Sequence, residues 1–141
     1  MTISARIHYA TLALVELAVR QKNEQPVAAS EISEVHGIPG PFLVQILRTL
    51  RSAGWVQSIR GSQGGYRLLV DPESLTLLDI AQEVGCPESS CQTDSTDTPA
   101  NRHLMEVWES ASAASRSVLS KTTLAEVAVR ATEDDEVMFY I

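Results

Sequence analysis

Two cysteines carry the most reactive side chains of this sequence. Cys86 and Cys91 are its only cysteines, and four residues separate them. Two thiols are too few for a disulfide scaffold, and in a reducing compartment a close pair indicates redox or metal chemistry. A dithiol that closes into a disulfide, a zinc site and two inert thiols in a loop are all compatible with the pair. Zinc is the weakest of these, because the sequence offers no second close pair of ligands.

A second set of side chains, between residues 41 and 67, has the chemistry of a DNA-reading surface. Arginine binds guanine edges and phosphates, glutamine pairs with adenine, and a small apolar side chain contacts the thymine methyl group. The set consists of Pro41, Phe42, Val44, Gln45, Arg48, Arg51, Arg60, Ser62, Gln63 and Arg67. Each residue alone is more simply explained by a solvated surface, so the prediction of DNA contact depends on their combination.

The charges of the chain are unevenly distributed. The formal net charge is −7, but residues 1–70 contain seven basic and four acidic side chains, a net +3, whereas residues 71–141 contain four basic and fourteen acidic ones, a net −10. Contact with phosphates depends on local charge. The sequence therefore predicts a DNA-binding domain at 1–70 and a second region at 71–141 with other tasks.

The apolar periodicity predicts three helices in the first half of the chain. Residues 4–21 form an amphipathic helix, and a short second helix begins at a Ser30 cap, turns Ile32 and Val35 inward and ends at Gly37. A third helix ends near residue 54. Its apolar face consists of Leu43, Ile46, Leu47 and Leu50, so the polar residues of the DNA-reading set lie off that face.

A β-hairpin follows the third helix. Residues 55–60 and 66–70 read as strands around the glycine-rich turn 61–65. Three helices followed by a hairpin form a winged helix-turn-helix, in which the third helix enters the major groove of DNA. Arg60 and Arg67 would then flank the tip of the wing, where phosphates or a narrow minor groove are met.

The second half predicts a helix, a loop and an exposed helical seam. Thr76 and Asp79 have capping-box spacing for a helix to about residue 84, and residues 86–101, with both cysteines, read as a loop. A long helix at about 102–121 has apolar residues at intervals of three and four, which favours packing against a second copy of itself. The predicted dimer interface consists of Leu104, Val107, Trp108, Ala111, Ala114 and Val118. The same stripe would also fit the core of its own chain.

The end of the chain completes a mainly α fold with a small β-hairpin. Thr123 and Glu126 have the spacing of a second capping box, which predicts a short helix, and the acidic residues 133–136 predict a solvated tail. The predicted architecture is a winged helix-turn-helix domain with a long C-terminal dimerisation helix.

Length and composition narrow the class of protein. The 141 residues, 44% of them hydrophobic, suffice for one domain with an oligomerisation element. We expect a cytoplasmic protein without membrane association, because the longest apolar stretch is too short to cross a bilayer and no signal peptide is recognisable. No nucleophile, base and orienting group occur in a recognisable pattern, so an enzyme is not expected.

Six short motifs, in order along nearly the whole chain, resemble the Rrf-type transcriptional regulators of bacteria. The motifs are IHYA at 7–10, GIP at 37–39, FLVQILRTLRSAG at 42–54, SIRGSQGGYRL at 58–68, LLDI at 77–80 and VW at 107–108. The wing motif at 60–66 is the most specific of them. The resemblance implies a homodimeric winged-helix protein that binds DNA and dimerises through its long C-terminal helix.

The same resemblance implies an iron-sulfur site, because many members hold a cluster in the cysteine loop. Such members usually carry three cysteines; Cys86 and Cys91 match the first two positions, and Arg102 stands at the third. His103 is adjacent to that position, and His8 matches a place where some relatives supply a ligand from the partner chain. Since imidazoles can replace two thiolates on one iron, these four residues are the candidate ligands of a [2Fe-2S] cluster.

Two modes of regulation follow from these expectations. In the first, oxidation or loss of a site at Cys86 and Cys91 changes the spacing of the two reading helices. In the second, the chain has no cluster and responds to a metabolic enzyme or a small molecule. In both, a homodimer binds a pseudo-palindromic operator in double-stranded DNA and acts as a repressor.

Overall fold

The chain folds into six α-helices and one β-hairpin within the part that is described. The structure is a computed structural model and describes residues 3–85 and 97–139. The elements in chain order are α1 (Ala5–Val19), a 3₁₀ turn (Gln21–Asn23), α2 (Ala29–His36), α3 (Gly40–Ser52), β1 (Val56–Ile59), β2 (Gly65–Leu68), α4 (Leu77–Val84), α5 (Pro99–Lys121) and α6 (Leu124–Phe139). The predicted fold class is confirmed. Cys86, Cys91 and most of the predicted cysteine loop lie outside the described residues.

Helix α1 lies at the centre of the hydrophobic core. It begins at Ser4, whose hydroxyl accepts a hydrogen bond from the backbone N–H of Ile7 at 3.3 Å. Its fully buried residues include Ala10 and Leu14, and the helix packs against α3, α4 and α6. The helices predicted from apolar periodicity are therefore organised around the first of them.

Helix α2 buries less of its surface than its sequence suggests. Its N-cap is Ala28 rather than Ser30, and Val35, which we expected to face inward, is 56% exposed. The helix has only eight residues, and Ile32 is the one that is buried. Gly37 ends it in the left-handed conformation, with φ 65°, and the chain turns there so that Ile38 enters the core in place of Val35.

The hairpin is antiparallel, with Val56 opposite Leu68 and Ile59 opposite Gly65. A third segment joins it, because Val27 and Tyr66 exchange backbone hydrogen bonds of 2.9 and 2.8 Å. The buried side chains of Val56 and Leu68 pack in the same hydrophobic core as the apolar face of α3.

Helix α5 begins three residues earlier than predicted. The side chain of Thr98 accepts a hydrogen bond from the N–H of Asn101, and Pro99 occupies the first helical position, where its missing N–H costs nothing. Residues 99–101, which we expected in the loop, are thus helical. No residue of α5 is buried in the single chain.

Helix α6 is longer than the short helix that the sequence predicts, and it continues through the acidic residues 133–136. Packing explains the difference, because α6 lies along α1 with Leu124 fully buried and Ala128 nearly so. Its start is held by hydrogen bonds from the N–H of Leu124 to the oxygen of Leu75, at 2.8 Å, and from the N–H of Leu77 to the oxygen of Thr122, at 3.0 Å. None of the helices in the described ranges is long and apolar enough to cross a membrane.

Candidate nucleic-acid interface

Helix α3 separates its apolar and polar residues onto opposite faces. Leu43, Ile46, Leu47 and Leu50 are buried, as predicted. The opposite face exposes Pro41, Val44, Gln45, Arg48 and Arg51 to solvent, in helical steps of three and four. These are five of the six α3 residues in the predicted DNA-reading set, so the structure brings them together on one accessible surface.

Phe42, the sixth α3 residue, lies at the edge of this surface. It is half-buried, and its ring meets the ring of Tyr9 on α1 edge-on, with centroids 5.6 Å apart. The contact fixes the first turn of α3 against α1. Phe42 therefore both positions α3 and lines the edge of its exposed surface.

The wing presents its polar tip to solvent. Arg60, Ser62 and Gln63 are exposed in the turn between β1 and β2. Gly65 follows them with φ 157°, and a Cβ atom there would collide with the backbone of Val27. Glycine is required at this position, because the wing and the Val27 segment approach more closely than a side chain permits.

Arg67 occupies a different environment from Arg60. It lies in β2 opposite Gln57, is half-buried, and donates a hydrogen bond from Nη2 to the backbone oxygen of Glu24. Glu24 ends the 3₁₀ turn in the left-handed conformation, with φ 57°. Arg67 thus ties the wing to the loop after α1, whereas Arg60 remains at the tip.

Three arginines of the predicted set have no partner among the residues that the structure describes. Arg48, Arg51 and Arg60 are exposed and form no hydrogen bond or ion pair with any residue that the structure describes. Arg6 on α1 and Arg20, the residue that follows α1, in contrast form hydrogen bonds with other side chains of the protein. Unpaired guanidinium groups on one helix and on the neighbouring wing tip are available to bind phosphates or base edges.

Helix α5 exposes the apolar stripe predicted for dimerisation. Trp108 is 53% exposed and Val118 65%, and Leu104 and Val107 are also exposed. Ala111 and Ala114 line a shallow groove with His103, Glu106, Val107 and Ser110. Met105, which the sequence reading missed, adds a further exposed apolar side chain. The stripe does not cover the core of its own chain.

The candidate cluster ligands are only partly described. His8 is exposed on α1 next to Tyr9, and His103 is exposed near the start of α5. Cys86 and Cys91 lie outside the described residues. Among the residues that the structure does describe, no three histidine, cysteine or acidic side chains are grouped so that they could hold a metal ion. The described residues therefore do not by themselves fit a cluster.

Arg6, which is not among the residues predicted from the sequence, contacts α3. It donates a hydrogen bond to the hydroxyl of Thr49 on α3. The only local signal is a basic residue in the first turn of a helix, which the helix dipole disfavours. Its partners are remote in sequence, so the pairing could not be read from a pattern.

Comparison with known proteins agrees with this architecture. The family model for Rrf2, described as an iron-dependent transcriptional regulator, matches residues 3–130. The HTH-type transcriptional regulator CymR of Bacillus subtilis (strain 168) is 34% identical over 142 residues, covering all of both chains. The solved structure of that protein, described as the global cysteine regulator of B. subtilis, has a TM-score of 0.78 at 32% identity and covers 92% of this chain and 98% of its own.

A second solved structure, IscR of T. potens, has a TM-score of 0.77 at 31% identity, covering 95% of this chain and 90% of its own. These similarities extend over the helices, the wing and α5 together. They are similarities to regulators of transcription and not to enzymes. The chain belongs to the Rrf2 family of winged-helix transcriptional regulators.

Proposed function

We propose that the chain is a sequence-specific DNA-binding regulator that acts as a homodimer and represses transcription. The observation that carries this proposal is the set of three exposed arginines, Arg48, Arg51 and Arg60, on α3 and the adjacent wing tip, which have no partner in the described ranges 3–85 and 97–139. A helix with a buried apolar face and an exposed face of arginine and glutamine is suited to the major groove, about 12 Å wide in B-DNA. Such a regulator acts where the chromosome is, in the cytoplasm.

Helix α3 would supply the sequence preference. Gln45 and Arg48 occupy the middle of its exposed face, where they can form paired hydrogen bonds with adenine and guanine edges. Val44, 44% exposed beside them, offers an apolar surface to a thymine methyl group. Pro41 and Arg51 lie toward the two ends of the helix, next to the DNA backbone.

The wing would supply affinity through the DNA backbone. Arg60, Ser62 and Gln63 project at its tip, where phosphates or a narrow minor groove are reached. Arg67 remains a candidate for phosphate contact, but its bond to Glu24 supports a bracing role for this residue in the wing. The DNA-binding domain at 1–70 would thus contact the bases with α3 and the DNA backbone with its hairpin.

Helix α5 would form the dimer. Its exposed stripe of Leu104, Val107, Trp108, Ala111, Ala114 and Val118 has the spacing of a helix–helix seam. The small residues Ala111 and Ala114 permit a close approach at the centre of that seam. A twofold pair of chains presents two α3 helices, so we expect a pseudo-palindromic operator. Repression would follow when the bound dimer excludes other proteins from that stretch of DNA.

The region 71–141 would respond to the signal that regulates DNA binding. The Rrf2 family is described as iron-dependent, and the B. subtilis relative as a regulator of cysteine. For this chain the proposed input is thiol chemistry at Cys86 and Cys91, and we derive no step through a cluster because both cysteines lie outside the described residues. Control by a metabolic enzyme or a small molecule is the alternative.

Selection of DNA from a random pool tests the proposal. The wild-type chain is expected to enrich a short sequence with twofold symmetry. In the selection with Gln45→Ala or Arg48→Ala, the preference should relax at individual positions and persist at the others, each lost contact costing about 1–3 kcal/mol of discrimination. A pool that shows no enrichment with the wild-type chain would contradict sequence-specific binding.

A further inference from the structure

Arg6 joins three helices through one guanidinium group. From α1, its Nε donates a hydrogen bond to the backbone oxygen of Val84, the last residue of α4, at 3.1 Å. Its Nη2 donates to Oγ1 of Thr49 on α3 at 2.9 Å. The hydroxyl of Thr49 in turn donates to the backbone oxygen of Gln45 at 3.3 Å. Two partners that lie 78 and 43 residues from Arg6 in sequence are thereby held in one place.

The charge of Arg6 stabilises the end of α4 but is unfavourable at the start of α1. A cation in the first turn of α1 opposes the dipole of that helix, whereas a cation at the end of α4 is favoured by the dipole there. The oxygen of Val84 belongs to the last turn of α4, whose carbonyls have no partner within the helix. The Arg6 side chain satisfies that oxygen with a charge-assisted bond.

Thr49 lies directly beside the reading face of α3. It follows Arg48 in sequence, and its hydroxyl contacts the carbonyl of Gln45, so both proposed base-reading residues are adjacent to the Arg6 contact. The buried leucines and isoleucine of α3 set its depth in the core. The directional bond from Arg6 to Thr49 sits on the flank of the helix and opposes its rotation about its own axis.

We propose that Arg6 is a positioning residue for DNA recognition. It touches no DNA itself, and it holds α3 at the rotation that directs Gln45 and Arg48 into the major groove. The inference rests on the proposed function, in which α3 reads the bases. A reading helix must be held to within a fraction of an ångström by its supporting contacts, so the loss of this one contact reduces discrimination more than general affinity.

A double-mutant cycle between Arg6→Met and Thr49→Val tests the proposal. Dissociation constants are measured at several salt concentrations for the duplex selected by the wild-type chain and for a shuffled duplex of the same composition. Thr11→Val is the matched control, because Thr11 donates to the backbone oxygen of Ile7 at 2.8 Å within α1 but accepts no bond from an arginine.

Each single variant is expected to weaken binding to the selected duplex roughly 3- to 10-fold. The double variant should bind no more weakly than the weaker of the two single variants, because both substitutions remove the same contact. Both variants should keep the wild-type affinity for the shuffled duplex and the wild-type salt dependence of binding. The Thr11→Val variant should bind both duplexes as the wild type does. This pattern would support positioning.

Two results would overturn the inference. A salt slope lowered by about one in Arg6→Met would identify Arg6 as a phosphate contact. If the Arg6 and Thr49 variants melt at lower temperatures but discriminate between the duplexes like the wild type, the contact serves only the stability of the fold. If Arg6→Met does not fold, the comparison of Thr49→Val with Thr11→Val decides the question.

Arg48→Ala separates a failure of this inference from a failure of the proposed function. If Arg48→Ala loses discrimination and the Arg6 and Thr49 variants do not, the positioning role alone is wrong. If Arg48→Ala also binds both duplexes like the wild type, α3 is not the reading helix, and the positioning role is refuted with it.

Discussion

His36 on α2 and Glu16 on α1 are joined by a hydrogen bond, with Nε2 of the histidine 3.0 Å from Oε2 of the glutamate and both side chains mostly buried. The other carboxylate oxygen of Glu16 accepts a bond from Nε of Arg20 at 2.9 Å, and Nη1 of Arg20 reaches Glu31 on α2 at 2.8 Å. The contacts of Glu16, together with the ion pair of Arg20 and Glu31, thus join the first two helices.

Replacing Glu16 should therefore lower the stability of the fold. Glu16→Gln is expected to reduce the free energy of unfolding by about 1 kcal/mol, because His36 and Arg20 lose a shared charged partner away from bulk water. Glu31→Gln is the control, since Glu31 is largely exposed, and it should cost less than about 0.5 kcal/mol. Chemical denaturation measures both, and equal stability of the two variants would contradict the role given to Glu16.

The close approach of the wing to Val27 predicts a strong requirement for glycine. Gly65→Ala should lower the free energy of unfolding by about 2 kcal/mol or more, because the new Cβ atom meets the backbone of Val27. Gly40→Ala is the matched control, since a Cβ atom at Gly40 meets nothing within 4 Å. Thermal unfolding compares them. A Gly65→Ala protein as stable as the Gly40→Ala protein would show that the wing can move away from Val27 at little cost.

The stripe on α5 predicts a dimer that a single charge can separate. Ala111→Glu should convert the chain to a monomer at micromolar concentration, because it buries an unpaired carboxylate in the centre of the seam. Ala113→Glu adds the same charge on an exposed part of α5 outside the stripe and should leave the dimer intact. Sedimentation velocity distinguishes the two. A wild-type chain that sediments as a monomer would remove the basis for a twofold operator.

The cysteine pair predicts a change in DNA binding on mild oxidation. If Cys86 and Cys91 act as a dithiol, the titratable thiol count falls by two and the affinity for the selected duplex changes in parallel. The Cys86→Ser/Cys91→Ser double variant should be insensitive to oxidant. Iron and acid-labile sulfide in an anaerobically purified sample would instead favour a cluster, whereas unchanged binding in every redox state would favour control by a partner or a small molecule.

Local patterns predict the faces of α3 but not the contacts that hold it. Leu43, Ile46, Leu47 and Leu50 recur with the period of a helix, so the buried face of α3 and its exposed arginines follow from the sequence. The capping box of Thr76 and Asp79 likewise fixes the start of α4, as both of its hydrogen bonds form. These features depend on residues three or four positions apart.

Features that depend on tertiary packing are not predictable in this way. Val35 lies within α2 at helical spacing from Ile32, yet it is exposed, and Ile38 enters the core after the turn at Gly37. The acidic residues 133–136 look like a solvated tail, but packing of α6 on α1 extends the helix through them. Arg6 meets Val84 across 78 residues, a distance over which no periodicity carries information.

The dependence of DNA affinity on salt concentration, measured for Arg60→Ala, tests the central claim most directly. Arg130→Ala is the matched control, because Arg130 is an exposed arginine on α6 without a partner among the described residues. We predict that Arg60→Ala weakens binding and lowers the slope of log affinity against log salt by about one, while Arg130→Ala changes neither. An Arg60→Ala chain with the affinity and slope of the wild type would contradict the account of the wing as a phosphate-binding element.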